Sequence, residues 1–175
     1  MNTQPQDPDD SLNIGKIIDM HRARIQAEET AQEKLRQGTD ACYLGQKTAL
    51  RRLMAERTLP IMKRAAADLE AEKIPAHVTH SEEERGGDTI GSWIVSTIML
   101  EIPKDGKRLL ADLTFIGTVT QHNWHITAHI RIGPALSALE PREDLNPAKF
   151  VGTPEELESF TRAKIETFIK LAFPS

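Results

Sequence analysis

The chain holds a single cysteine, Cys42, among its 175 residues. No intrachain disulfide can form, so packing alone must stabilise the fold. Aromatic residues make up only 5% of the sequence. Base-stacking platforms need exposed Phe, Tyr or Trp, so this scarcity argues against one. No apolar run approaches the roughly 20 residues a membrane-spanning helix needs. Nor is there an excess of positive charge: the formal net charge is −4, which gives no bulk attraction to nucleic acid or anionic lipid. Phosphate-cradling loops are missing, since Gly86-Gly87 has no following Lys-Ser/Thr and opens no helix. No serine stands in a G-x-S-x-G context. The first eight residues are polar and acidic, unlike a secretory leader. These absences point to a cytoplasmic protein with no membrane span, no cofactor, no metal and no catalytic motif.

Hydrophobic residues make up 39% of the chain and charged ones 27%, as in ordinary globular proteins. The length is enough to bury a core. Residues 1–10 are proline- and aspartate-rich and are expected to form a disordered tail, with residues 11–175 as a single α+β domain.

Alternation of apolar and polar side chains marks strands. Trp124, Ile126, Ala128, Ile130 and Ile132 share one parity, and His125, Thr127, His129 and Arg131 share the other. Leu109, Ala111, Leu113, Phe115 and Val119 alternate with Leu110, Asp112, Thr114, Ile116 and Thr118. An earlier run sets Ile94, Ile98, Leu100 and Ile102 against Trp93, Val95, Thr97 and Met99. The connections are short: Asp105-Gly106 is a tight-turn signal, and Thr120 to Asn123 is a polar turn. Residues 93–132 are therefore expected to form an antiparallel meander. Ala76 to His80 offers a fourth, edge-type strand after Pro75.

Helical spacing appears on both sides of the meander. Ile14, Ile17, Ile18, Met20, Ile25 and Leu35 make a thin stripe that Gly38 is expected to end. Its second half is almost wholly polar, which suits a solvated helix end or a helix reaching a partner chain. Residues 39–46 should be a connection. Residues 47–73 read as a second long helix, kinked or broken at Pro60. Thr153-Pro154-Glu155-Glu156 is a capping box with proline at the first helical position. Leu157, Phe160, Ile165, Phe168 and Leu171 continue that last helix, and Lys164 must snorkel out of its stripe. The expected architecture is an antiparallel sheet of three to four strands, packed by two long N-terminal helices and one C-terminal helix.

Candidate chemistry is sparse. His77, His80, His122, His125 and His129 cluster in the sheet half. On a strand, however, His125 and His129 lie about 13 Å apart, too far to share one zinc ion. Asp112 with His125 or His129 offers an acid/base pair if the strands bring them together. Lys47, Arg51, Arg52, Arg57, Lys63 and Arg64 crowd one helical stretch and are nucleic-acid candidates, although their spacing spreads them around the helix. Trp93, Val95 and Met99 make the opposite face of the first strand apolar as well. They are protein-interface candidates for another protein or a second copy of this chain. The leading expectation is a non-enzymatic protein-binding module (adaptor, chaperone-like or regulatory) acting as a homodimer. The alternatives are a nucleic-acid-binding regulator using residues 47–64 and a small metal or acid/base enzyme using the histidine-bearing face.

Overall fold

The computed structural model describes residues 14–87, 91–104, 108–133 and 144–174. The expected tail at 1–10 and the Asp105-Gly106 turn lie outside them. Contacts divide the chain between Ala41 and Cys42 into two units. The described residues of the first are purely helical.

Helix α1 runs from Ile14 to Leu53, through the expected stop at Gly38 and the expected connection at 39–46. Gly38 and Gly45, in the interior of the helix, each cost about 1 kcal/mol of helix propensity. Thr39 Oγ1 donates to the Leu35 carbonyl at 2.9 Å and Thr48 Oγ1 to that of Leu44 at 3.1 Å, each bonding back one turn within the continuing helix. Within the second unit, Tyr43 donates its hydroxyl to the Gly91 carbonyl at 3.0 Å, which ties the end of α1 to that loop.

Pro60 neither breaks the helix nor ends it. A π-helical turn, Met54–Thr58, precedes it, and α2 follows over Leu59–Ala71. Proline has no N–H and crowds the carbonyl four residues back. One extra residue in the preceding turn relieves that crowding, and Leu59 N bonds back five residues to Met54 O. The two expected N-terminal helices are thus one joined helix.

Among the described residues the sheet has six antiparallel strands. They are β1 (His77–Ser81), β2 (Arg85–Gly86), β3 (Trp93–Lys104), β4 (Arg108–Val119), β5 (Trp124–Ile132) and β6 (Ala148–Phe150). Their order is β1-β3-β4-β5-β6, with β2 beside β1 along the same edge of β3. The meander matches the periodicity, and the Thr120 turn closes as expected, with Thr120 N donating to Asn123 O at 2.7 Å. The short strands β2 and β6 carry too few residues for alternation to reveal them.

Helix α3 spans Pro154–Ala172 behind its capping box: Glu156 N donates to Thr153 Oγ1 at 3.3 Å, and Thr153 N to Glu156 Oε2 at 2.7 Å. In the second unit, α2, the π turn and α3 pack on one face of the sheet. Leu50, Met54, Met62 and Leu69 meet Ile98, Leu113, Phe115 and Ile126, while Leu157 and Phe168 close the layer from α3. Gly117 permits the closest approach. A Cβ there would strike Met54 Sδ and lie 3.2 Å from a Leu50 methyl.

Two hydroxyls in this layer, Thr58 Oγ1 and Thr161 Oγ1, are buried without a hydrogen-bond partner among the described residues. A buried hydroxyl left unpaired has lost its hydration for nothing. Thr161→Val should therefore raise the unfolding free energy by about 1 kcal/mol, read as a higher urea midpoint at unchanged slope.

Candidate functional site

Strand β3 carries a register shift between Ile94 and Ser96. The extra residue is Val95, and it changes which side chains share a face. Val95 is wholly buried in the helix-side core. Trp93 pairs with Val119, whose side chain belongs to the same core. Met99 pairs with Thr114 on the opposite face and is half-buried. Trp93, Val95 and Met99 therefore do not form one patch.

Trp93 has a cover of its own. Lys47 Nζ stands 4.8 Å from its ring centroid and 5.0 Å from that of Tyr43. The same ammonium donates to Glu84 Oε2 at 2.8 Å. Arg51 pairs with the other oxygen of Glu84 and donates Nε to the Val95 carbonyl at 3.1 Å. The hydrogen bonds from Lys47 and Arg51 hold the Glu84 carboxyl below its ordinary value of 4.5, while burial and then the Glu84 charge raise the Tyr43 hydroxyl. A carboxyl lowered on folding adds stability above pH 4.5 that disappears as the pH falls through its folded value. Glu84→Gln should lower the melting temperature at neutral pH and flatten its decline below pH 4.5, in a melting series across pH.

The other cations of the basic stretch are dispersed. Arg52 bonds Glu56 at 2.7 Å and Arg57 bonds Glu158 of α3 at 2.6 Å. Lys63 and Arg64 are exposed, and neither has an ion pair among the described residues. Arg64 borders a small hollow with Asp68, Arg162 and Glu166.

The sheet face away from α2 and α3 carries two adjoining hollows, of about 390 and 530 Å3. They share Arg85, Thr114, Ile116 and Arg131. Met99 extends the first, while His129 and Asp144 border the second. Below them Asp112 is wholly buried and accepts from Arg131 Nε at 2.9 Å and from Thr114 Oγ1 at 3.2 Å. Asp112 thus serves an arginine, and the expected Asp112–histidine pair is not formed.

His129 finds a different carboxylate. Its Nδ1 contacts Asp144 Oδ2, and its Nε2 lies 3.2 Å from Thr127 Oγ1. With the ring proton on Nδ1, Asp144 orients the imidazole and Nε2 accepts from the threonine hydroxyl. Asp144 is held in turn by the amide of Ile130, at 3.1 Å. Lys164 reaches out of the α3 stripe to Asn146 Oδ1 at 2.9 Å, which anchors the segment that carries Asp144. Burial lowers the Lys164 ammonium, and the Asp144 charge opposes that shift. No sequence signal marked Asp144, because it stands in an aperiodic stretch and meets His129 only through the fold.

The remaining histidines are scattered. His77 lies 3.0 Å from Glu101, and His80 lies 3.3 Å from Ser96 Oγ. His122 is exposed in the β4–β5 turn. His125 is lowered by burial and then by the charge of Lys149. Among the described residues no three histidine, cysteine or acidic side chains come together as a metal cluster, and no helix is long and apolar enough to cross a membrane.

In class this is an α+β protein, an antiparallel sheet with helices on one face. No family model matches the chain, and no curated protein or solved structure matches it at a significant level.

Proposed function

We propose that the chain is a non-enzymatic protein-binding module, an adaptor or regulatory protein, that acts as a homodimer in the cytoplasm. The observation behind this reading is the surface of α1. Ile17, Met20, Leu35 and Leu44 are 56, 67, 73 and 62% exposed along one helix. Covering such side chains recovers roughly 25 cal/mol per Å2 of apolar surface. Exposed apolar residues repeated along a helix are the usual mark of a helix-to-helix interface. The exposed free thiol of Cys42 fits a reducing compartment. Light scattering over a concentration series tests the homodimer, and a monomer at every concentration refutes it. Nucleic-acid binding draws less support, because Lys47, Arg51, Arg52 and Arg57 are already engaged by carboxylates. A salt titration with DNA and RNA oligonucleotides checks that option, since phosphate contacts weaken steeply with salt.

One observation favours a second reading, acid/base chemistry at the 530 Å3 hollow: the Thr127–His129–Asp144 chain of contacts. A carboxylate-oriented imidazole beside a hydroxyl is the pairing needed for proton abstraction. Hydrolysis of an activated ester such as p-nitrophenyl acetate tests it. Equal rates for the natural protein and His129→Gln remove this reading.

A further inference from the structure

A heptad runs through two of the exposed apolar residues of α1, Ile17 and Leu35, with Ile18, Met20 and Ile25 on its flanks. Ile17, His21, Arg24, Glu28, Ala31 and Leu35 recur at alternating spacings of four and three, the core seam of a two-stranded coiled coil. The middle of that seam is ionic: Arg24 Nε and Glu28 Oε1 lie 3.3 Å apart on the exposed helix surface. Two polar positions at the centre of a seam discriminate between pairings, because each must meet a tolerable partner.

We infer that α1 pairs with α1 of a second copy in antiparallel orientation, with the two-fold axis at Gln26, and that Arg24 and Glu28 select this register. The inference rests on the homodimer reading above and specifies its surface. About Gln26, Arg24 faces Glu28 of the second copy, and Glu28 faces its Arg24. Each intrahelical pair thus becomes half of a four-charge cluster. In the same register Ile17 faces Leu35 of the second copy, and His21 faces its Ala31. On the flanks, Ile25 and Ala27 each fall beside their own counterparts near the axis.

The alternatives fail on charge or on size. A parallel pair sets Arg24 against Arg24 and Glu28 against Glu28, two like-charge contacts in one seam. Sliding the antiparallel pair by one heptad in one direction sets Ile17 against Glu28 and His21 against Arg24. Sliding it in the other sets Arg24 against Leu35 and Glu28 against Ala31. Of these, only the register about Gln26 sets each charge against its opposite and Ile17 against Leu35. The surface is isologous, so the pairing closes at two copies.

Sedimentation velocity and cysteine trapping on the full chain test this. Arg24→Glu should weaken dimerisation about tenfold, since the symmetric interface loses the pair twice. The swap R24E with E28R should restore it. In a Cys42→Ser background, Ala27→Cys and Ile25→Cys should each cross-link to the second copy under mild oxidation. Leu35→Cys should not, because its two copies lie about 27 Å apart along the helix axis at 1.5 Å per residue. Circular dichroism checks that the variants remain helical. Cross-linking through Leu35→Cys, or through the native Cys42, means a parallel pair and overturns the inference. A dimer indifferent to Arg24→Glu that does not trap at Ala27 also overturns it, yet leaves the homodimer standing on another surface. A strict monomer overturns both.

Discussion

Phe115→Ala should cost about 3–5 kcal/mol of unfolding free energy, enough to leave the second unit marginal or unfolded at room temperature. Phe115 sits in β4, paired with Ile98 on one side and Ala128 on the other, and is wholly buried. Its ring meets Phe160 of α3 edge-on, with centroids 6.1 Å apart and planes at 79°. Phe160 in turn lies 5.2 Å from Phe150 of β6. Through Phe160, the Phe115 ring is linked to the C-terminal helix and the edge strand. Truncation loses the transfer energy of the ring and leaves a void that neighbours on three elements cannot jointly fill. Urea unfolding followed by circular dichroism measures the loss. Phe115→Leu provides the control, retaining most of the volume and costing about 1–2 kcal/mol. A Phe115→Ala cost under about 1 kcal/mol would contradict the packing described.

Arg131→Met should cost about 3 kcal/mol. Asp112 is wholly buried, while the Arg131 side chain is 36% exposed and bonds it through both Nε and Nη2. Methionine keeps much of the stem volume but withdraws the positive charge and both donors. The carboxylate then remains buried without the cation that offset its desolvation. Urea denaturation at neutral pH reads the loss, and a cost under about 1 kcal/mol would contradict the pairing described.

Residues whose partners lie on neighbouring turns or neighbouring strands were legible in the sequence. The two later long strands were legible by alternation, the Thr153 box names its own helix start, and Lys164 betrays its snorkelling by interrupting an apolar stripe. What was not legible depends on distant contacts. Gly38 signals a helix end, yet the helix continues to a turn where Tyr43 is held by Gly91. Val95 looked like part of a second apolar face because alternation assumes an unbroken register, and the bulge beside Gly117 breaks it. The candidate site shows the same limit. Arg131, His129 and Asp112 were visible as a polar strand face, but their pairing was not. Asp112 was matched to a histidine and belongs to the arginine, while Asp144 reaches His129 from an aperiodic segment. Likewise, a row of cations reads as one basic surface until Glu84, Glu56 and Glu158 divide it.

The π turn at Met54–Thr58 acts as a phase corrector. Residues advance by about 100° each around an α-helix. Counted in that way through the proline, the face of Met62, Ala66 and Leu69 stands about 100° away from the face of Leu50 and Met54. That offset equals one residue, and the widened turn absorbs one residue. Both halves of the joined helix therefore lay their apolar faces on the same sheet, although the sequence between them is one residue out of frame. Genetically, the turn behaves as an insertion that the helix has already accommodated. Its length in residues, more than the identity of any side chain within it, keeps Leu50 and Met62 in the same core.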